Sequence, residues 1–257
     1  MTPDRDAGNF ARIVAHDTLG STNAEAMALA RAGEAGPLWI TAARQTAGRG
    51  RRGNAWTSEP GNLYASLLLA DIGPAAHLPE LCFVAALAVR DAVAAVALTL
   101  AGRITLKWPN DLLLDGAKFC GILIEAETVR RRSVSVIGIG VNCAHFPGDT
   151  PYPATGLAAQ GIAIEPAALL RALDRAMGTR LTQWNAGSGF AGVRADWLAN
   201  AANLGAEIHV RLTERELTGT FETLDRMGRL MLRQSDGTLE AVTAGEVFAR
   251  PPAGKVA

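Results

Sequence analysis

A stretch rich in arginine and glycine, Gly48-Arg49-Gly50-Arg51-Arg52-Gly53, is the strongest chemical signal in this sequence. Glycine lets the backbone approach a ligand closely. Guanidinium groups are planar, permanently charged donors that match phosphate oxygens. The stretch directly follows an apolar run at residues 38–43, which is predicted to be a strand. We therefore predict a mobile loop at a strand end that closes over an anion.

Three other interpretations of this loop must be weighed. The spacing Gly48-x-Gly50-x-x-Gly53 also matches the dinucleotide fingerprint, but that fingerprint opens a helix, whereas residues 54–61 are typical of a turn. A nucleic-acid patch is a second interpretation, because arginine-rich runs bind phosphate backbones. A solvated basic turn without any ligand is the third. The loop alone does not decide between them.

The composition of the whole chain narrows the choice. With 257 residues and 49% apolar side chains, the chain is long enough for one large domain or for a large and a small one. The 25 basic and 25 acidic side chains give a net charge of +0, which disfavours a general nucleic-acid binder. The cysteines show no metal or disulfide spacing and are interpreted as buried apolar residues in a reducing compartment: Cys82, Cys120 and Cys143.

Neither a secretion signal nor a membrane span is indicated by the sequence. The N-terminus lacks a charged segment followed by an apolar one. Residues 83–100 are apolar, but Arg90 and Asp91 interrupt the run, which favours a buried helix. We expect a cytoplasmic protein without membrane contact.

The first predicted helix follows a first strand at residues 11–17. Ser21 or Thr22 can cap this helix, and Thr22 with Glu25 fits a capping box. The same helix start, Ser21-Thr22-Asn23, presents hydroxyl and amide groups that suit a polar ligand. Capping alone explains these residues equally well.

Two further candidate sites lie at predicted strand ends. Pro109 removes a ladder donor, so the strand at residues 104–108 must end or bulge there, which presents Asn110 and Asp111. The hairpin signal Asp115-Gly116 then places Lys118 at the start of the next strand. A solvated lysine is the simpler interpretation, but Gly121 within that strand indicates that a ligand or another backbone comes close.

The predicted architecture is α+β, a mixed sheet flanked by helices. Helices are predicted at residues 78–98, 166–184 and 190–199. From residue 204 the pattern changes to four short alternating runs separated by turns, which indicates a small barrel. The runs are predicted strands at residues 207–212, 216–224, 230–233 and 239–242. We place a domain boundary near Asn203.

Four motifs occur together in one order. They are Gly48–Gly53 as given above, Lys107-Trp108-Pro109-Asn110-Asp111, Lys118-x-x-Gly121 and Gly138-x-Gly140-x-Asn142, preceded by Ser21-Thr22-Asn23. This set resembles the biotin–protein ligase family over residues 21–142. The tail resembles the small SH3-like C-terminal domain of that family. The resemblance implies a class II synthetase/lipoate-ligase-like catalytic domain at residues 1–203 and an SH3-like domain at residues 204–257.

The resemblance also implies an activity. Such an enzyme forms biotinyl-5′-adenylate from biotin and ATP, with Mg²⁺, and passes the biotinyl group to one lysine of a biotin carboxyl carrier protein. No Ser, Cys or His lies in a nucleophile context, so we predict direct transfer without a covalent enzyme intermediate. Only twenty residues precede Ser21, too few for the DNA-binding domain of some members, so no operator binding is expected. We expect a monomer or a weak homodimer.

The family pattern carries roles onto residues of this chain. The residues assigned to catalysis are Lys118, Arg49, Arg51 and Asp111. The residues assigned to biotin are Ser21, Thr22, Asn23, Gln45, Arg49, Gly50, Arg51, Lys118 and Gly121. The residues assigned to ATP are Arg49, Arg51, Trp56, Asn110, Asp111, Lys118 and Asn142. Asp111 is also the candidate for contacting magnesium or for orienting the incoming lysine amine.

Three alternative functions remain at this point. A lipoate–protein ligase shares the fold and the adenylate chemistry and differs in the acid that it accepts. A nucleic-acid-binding protein would use the arginine loop and the small barrel. A catalytically inactive interaction module is disfavoured because Lys118 and Arg49 are both present.

Overall fold

A seven-stranded mixed sheet forms the centre of the computed structural model, which describes residues 9–249. Its strands are β1 (Arg12–Leu19), β2 (Leu38–Gln45), β3 (Leu63–Ala70), β4 (Ile104–Lys107), β5 (Asp111–Leu114), β6 (Ala117–Val129) and β7 (Arg132–Val141). Their order in the sheet is β1-β2-β3-β7-β6-β5-β4. β1 and β2 are parallel, and the other neighbours are antiparallel. The predicted mixed sheet is confirmed.

Helices cover both faces of this sheet. They are α1 (Thr22–Ala32), α2 (Leu81–Val96), α3 (Pro166–Trp184) and α4 (Phe190–Leu198). Side chains alternate along a strand, so Leu38 and Ile40 of β2 pack with α1, whereas Trp39 between them joins the core on the side of α2 and α3. Because both faces are buried, the central strands are apolar along their length.

Two helix starts refine the sequence prediction. Ser21, one of the two predicted caps, is the N-cap of α1, and its hydroxyl accepts a hydrogen bond from Ala24 N, so the alternative capping box of Thr22 and Glu25 is wrong. The helix predicted at residues 78–98 begins instead as a 3₁₀ turn at Ala75–Glu80, and α2 follows it. Pro79 lies within this first segment, and proline does not provide the N–H that a helix interior requires.

The turns that present the candidate residues are as predicted. β4 ends at Lys107, just before Pro109, and β5 begins at Asp111. Asp115 and Gly116, which join β5 to β6, both have positive φ values, 50° and 82°, as a two-residue type I′ hairpin requires.

The second sheet contains five antiparallel strands rather than the four that were predicted. They are β8 (Glu207–Arg211), β9 (Glu216–Leu224), β10 (Leu230–Arg233), β11 (Leu239–Val242) and β12 (Glu246–Ala249), in the order β11-β10-β9-β8-β12. Its buried residues continue the main core. Trp108 Nε1 also donates a hydrogen bond to the carbonyl of Gly228, at 3.1 Å. The second sheet is therefore packed directly against the first part of the chain.

The cysteines and the apolar helix agree with the sequence analysis. Cys120 and Cys143 are buried and Cys82 is half-buried, and all three are free thiols. Burial raises the pKa of Cys82 to about 12 and the pKa of Cys143 to about 11, so these thiols stay protonated and unreactive at neutral pH. Within residues 9–249, no helix is long and apolar enough to cross a membrane.

Candidate active site

One cavity brings together nearly all the residues that the sequence singled out. It opens beside the ends of β2, β4 and β6 and the start of α1. The predicted residues that line it are Ser21, Thr22, Asn23, Gln45, Arg49, Gly50, Arg51, Trp56, Asn110, Asp111, Lys118 and Gly121. Residues far apart in the sequence thus face one space.

The polar corner of the cavity is built where α1 begins beside the end of β2. Leu19 of β1 pairs with Gln45 of β2, so the chain that turns into α1 passes the Gln45 side chain. Gln45 Oε1 accepts from the backbone N of Thr22 at 2.8 Å and lies 3.1 Å from Thr22 Oγ1. Gln45 Nε2 donates to Ser58 Oγ at 3.0 Å. The corner offers fixed donors and acceptors of the kind that a small polar ring requires.

The arginine loop is a tight hairpin. Gly50 N donates to Asn54 O at 2.7 Å, and Trp56 N donates to Gly48 O at 2.9 Å. A Cβ on Gly48 would lie 2.5 Å from the carbonyl oxygen of Trp56, so only glycine fits there. The tip at Arg51–Gly53 is a 3₁₀ turn whose middle residue, Arg52, has a φ of 54°.

The two arginines assigned to anion binding have different partners. Arg49 Nη2 lies 3.2 Å and 3.3 Å from the carboxylate oxygens of Glu125. Arg51 Nη1 donates to Asn110 Oδ1 at 3.0 Å, and Asn110 Nδ2 donates to the carbonyl of Ile122 at 2.8 Å. Asn110 thereby fixes Arg51 against β6.

Glycines on β6 and β7 form the floor of the cavity. Gly121 pairs with Gly140, and the indole of Trp56 lies on this pair, so a Cβ would approach it to 2.9 Å on Gly121 and to 2.6 Å on Gly140. Trp56 Nε1 is buried without a hydrogen-bond partner. Gly138 makes room for Asn23 in the same way, since its Cβ would lie 2.2 Å from Asn23 Oδ1.

A carboxylate between two lysines lies at the other end of the cavity. Lys118 Nζ is 2.6 Å from Asp111 Oδ1, and Lys107 Nζ is 3.8 Å from Asp111 Oδ2. Antiparallel pairing brings the three together, because Lys107 faces Asp111 across the β4–β5 turn and β6 runs alongside β5. The group carries a net positive charge, which favours an anionic ligand.

Lys107, Tyr152 and Phe248 are among the lining residues that the predicted site did not include. Lys107 belongs to a motif that was noticed, but it was given no role. Burial lowers its pKa, an effect that Asp111 partly offsets. Its Nζ lies 5.8 Å from the ring centroid of Tyr152 and 5.7 Å from that of Phe248. Tyr152 lies in an irregular loop and Phe248 in the unpredicted strand β12, so no periodic pattern marked either aromatic residue.

Asn142 is the one predicted site residue that does not line this cavity. Its side chain is buried and donates from Nδ2 to the carbonyl of Thr155 at 3.0 Å. Its backbone N donates to the carbonyl of Phe119 at 2.8 Å. These bonds tie the end of β7 to the following loop, so the position of Asn142 gives no support to a direct nucleotide contact.

The residues around Asp111 do not fit a magnesium site held by the protein. Both of its oxygens face lysine ammonium groups. Among residues 9–249, no three His, Cys, Asp or Glu side chains are grouped as a metal would require. Magnesium prefers oxygen ligands that are free to coordinate it, so the position of Asp111 gives no support to its predicted contact with magnesium.

The comparison with known proteins decides the family. A biotin–[acetyl-CoA-carboxylase] ligase of Paracoccus denitrificans is 42% identical to this chain over 236 residues, which span 89% of this chain and 96% of the relative. The chain belongs to the biotin–protein ligase family. The model of the biotin/lipoate A/B protein ligase family matches residues 22–142, and that of the biotin protein ligase C-terminal domain matches residues 204–250.

Solved structures of the family have the same fold. The biotin protein ligase of Aquifex aeolicus in complex with biotin and ATP has a TM-score of 0.76 and 25% identity, covering 92% of this chain and 97% of that one. The Leishmania major enzyme in complex with biotinyl-5-AMP has a TM-score of 0.66 and 27% identity, covering 90% and 98%. The α+β class expected from sequence is confirmed.

Proposed function

We infer that this chain is an ATP-dependent biotin–protein ligase that forms biotinyl-5′-AMP and transfers the biotinyl group to a lysine of a carrier protein. The observation that carries this inference is the convergence of three features on one cavity. They are the polar corner at Thr22 and Gln45, the arginine loop, and the Lys118–Asp111–Lys107 group. Each suits one part of the two substrates.

The electrostatics of adenylation explain this arrangement. The reaction brings a carboxylate to a triphosphate, and the two anions repel each other. Fixed positive groups that need no rearrangement lower such a barrier most effectively. We assign Lys118 to the reacting carboxylate and the developing anhydride. We assign Arg49 and Arg51 to phosphate oxygens, for which their planar donors are suited, and to the carboxylate of biotin where it meets them.

The polar corner is assigned to the ureido ring of biotin. Its donors and acceptors are held in place by Gln45 and by the start of α1, so little ordering is needed when the ring binds. Gly121 leaves space beside the ring and the reacting centre. Trp56 can cover the ligand once its indole moves off the glycine floor. Closure of the arginine loop then excludes water, which would otherwise hydrolyse the anhydride.

Asp111 is assigned to the transfer half of the reaction. A carboxylate beside Lys118 can accept a hydrogen bond from an incoming lysine amine and orient it towards the anhydride. No step requires a covalent bond to the enzyme. We propose that the acceptor is a biotin carboxyl carrier protein, in line with the name of the Paracoccus relative. The division into domains at residues 1–203 and 204–257 is likewise proposed.

Pyrophosphate release with MgATP and either biotin or lipoate tests the reaction, followed by mass spectrometry of an added carrier domain. We expect release with biotin and one biotinyl group on the carrier. Release with lipoate but not with biotin would show that the chain is a lipoate–protein ligase. Release with neither acid would refute the proposed activity. Binding to duplex DNA, titrated at two salt concentrations, tests the expectation that the chain has no DNA partner.

A further inference from the structure

Glu125 of β6 joins the polar corner to the arginine loop. Its Oε2 accepts a hydrogen bond from Asn23 Nδ2 at 2.7 Å. Its two oxygens lie 3.2 Å and 3.3 Å from Arg49 Nη2. Glu125 is two residues beyond Leu123, which lines the cavity on the same face of the strand. A single carboxylate therefore contacts a residue assigned to biotin and a residue assigned to both anions.

A chain of buried hydroxyl and amide groups fixes the Asn23 end of this connection. Ser66 Oγ lies 2.6 Å from Asn23 Oδ1 and 2.7 Å from Thr22 Oγ1. An amide oxygen has no proton to give, so Ser66 must donate to Asn23. This orientation leaves Asn23 Nδ2 facing Glu125. Thr22 Oγ1 then donates its one proton to Ser66 Oγ, and the backbone N of Thr22 donates to Gln45 Oε1 at 2.8 Å. Polar contacts therefore lead from Gln45 through Thr22, Ser66, Asn23 and Glu125 to Arg49.

The Arg49 end of the connection is left partly free. Within the described part of the chain only Nη2 of the guanidinium is engaged, so Nη1 and Nε remain available for a ligand. The side chains of Arg49 and Glu125 are 50% and 31% exposed. An ion pair with that exposure is weak, so it can orient an arginine without keeping it from a polyanion.

We propose that Glu125 is a positioning residue that holds Arg49 towards the cavity and couples occupation of the polar corner to the arginine loop. The proposal rests on the inferred ligase activity and adds a residue to its machinery. Since Asn23 and Arg49 share one carboxylate, a ligand that moves Asn23 also changes the support of Arg49. Glu125 itself touches neither of the reacting atoms.

The first test separates the two contacts of Glu125 by substitution. Glu125→Gln keeps an oxygen that accepts from Asn23 but removes the charge that attracts Arg49. We expect the KM for ATP to rise about two- to fivefold, with the Kd for biotin measured without ATP unchanged. Glu125→Ala leaves Asn23 Nδ2 without a partner, and it should weaken biotin binding as well.

Glu127→Gln is the matched control. Glu127 lies on the same strand and face, two residues on, and pairs with Arg31 at 2.5 Å, away from the arginine loop. The KM for ATP and the Kd for biotin of the Glu127→Gln variant should equal those of the wild type. The Glu125→Gln change is then repeated in Arg49→Ala, where its effect on the KM for ATP should disappear. An equal effect in both backgrounds would show a general structural role and overturn the proposal.

A second readout needs neither substrate nor activity. Trypsin cleaves after arginine, and mass spectrometry can follow the bond between Arg49 and Gly50 in the ligand-free protein. We expect faster cleavage there in Glu125→Gln than in Glu127→Gln, because Arg49 loses its partner. Equal rates would overturn the proposal even if the wild type proved inactive. Absence of pyrophosphate release in the wild type would refute only the ligase activity.

Discussion

Lys118 Nζ lies 2.6 Å from Asp111 Oδ1, and each of these side chains is only 14% exposed. Lys107 lies on the other oxygen of the same carboxylate. Without Asp111, two ammonium groups would face each other with little water to screen them. Asp111 thus stabilises a pair of cations at the place where the two anionic substrates are proposed to meet.

Replacing Lys118 with methionine keeps most of the side-chain volume and removes the charge. We expect the rate of pyrophosphate release at saturating biotin and ATP to fall about 10²- to 10³-fold, the usual cost of losing one preorganised group that stabilises charge in a transition state. Arg215→Met, which removes an exposed cation paired with Glu240 in the second sheet, should leave this rate unchanged. An unaltered rate in Lys118→Met would contradict the assigned role. Thermal unfolding of each variant checks that the fold is intact.

Replacing Gly138 with alanine should weaken biotin binding about tenfold, or about 1.4 kcal/mol. The new Cβ would lie 2.2 Å from Asn23 Oδ1, so Asn23 must move away from Ser66 and Glu125. Gly102→Ala is the matched control, since no atom lies within 4 Å of its Cβ position. Calorimetric titration with biotin measures both variants. The same affinity in both would show that Asn23 does not shape the polar corner.

Lys107 should make the use of ATP sensitive to alkaline pH. Burial lowers its pKa from the ordinary value of 10.5, so as pH rises Lys107 loses its proton before an exposed lysine does. Below that pKa the ammonium is charged and attracts phosphate, and above it the attraction is lost. We expect the KM for ATP to rise at a pH below 10.5, the ordinary pKa of lysine, and Lys107→Arg to remove that rise. If the KM for ATP depended on pH in the same way in the wild type and in Lys107→Arg, a role for the Lys107 charge would be refuted.

Binding of biotin and ATP should slow amide hydrogen exchange at residues 49–54. In the structure this segment is held by few backbone bonds and its tip is exposed, so it opens readily without ligand. The adenylate is proposed to supply partners for its arginines and N–H groups. The tight turn at Asp225–Arg229 provides an internal reference, since its bonds do not involve the cavity. Equal exchange with and without ligand would contradict loop ordering.

Local patterns explain how much of the fold could be read from the sequence. The helix at Pro166–Trp184 and the strands at Glu216–Leu224 and Leu230–Arg233 have the predicted bounds, because their apolar periods and flanking turn residues agree. The α2 start was misjudged because an apolar run continues through a 3₁₀ turn without any change of composition. β12 was not predicted, although it has the same length of four residues as β10.

The residues that motifs singled out line one cavity, with the exception of Asn142, whereas the lining residues that tertiary packing brings there were not found from the sequence. The glycine and arginine spacing indicated an anion loop, and Pro109 indicated a strand end. Glu125 and Tyr152 carry no local signal, because their positions depend on which strand and loop pack beside them. Asn142 shows the converse, since a motif residue at a strand end bonds to Thr155 outside the cavity.

The cavity wall is shared between the two sheets, because Gly245, Glu246, Val247 and Phe248 line it together with residues of the first sheet. The active site therefore lies between the two sheets and is formed by residues of both. A fragment that ends before the second sheet would keep Lys118 and the arginine loop, yet it would leave the Lys107 end of the cavity open to solvent. Evolutionary exchange of the small sheet among relatives would accordingly alter catalysis as well as stability.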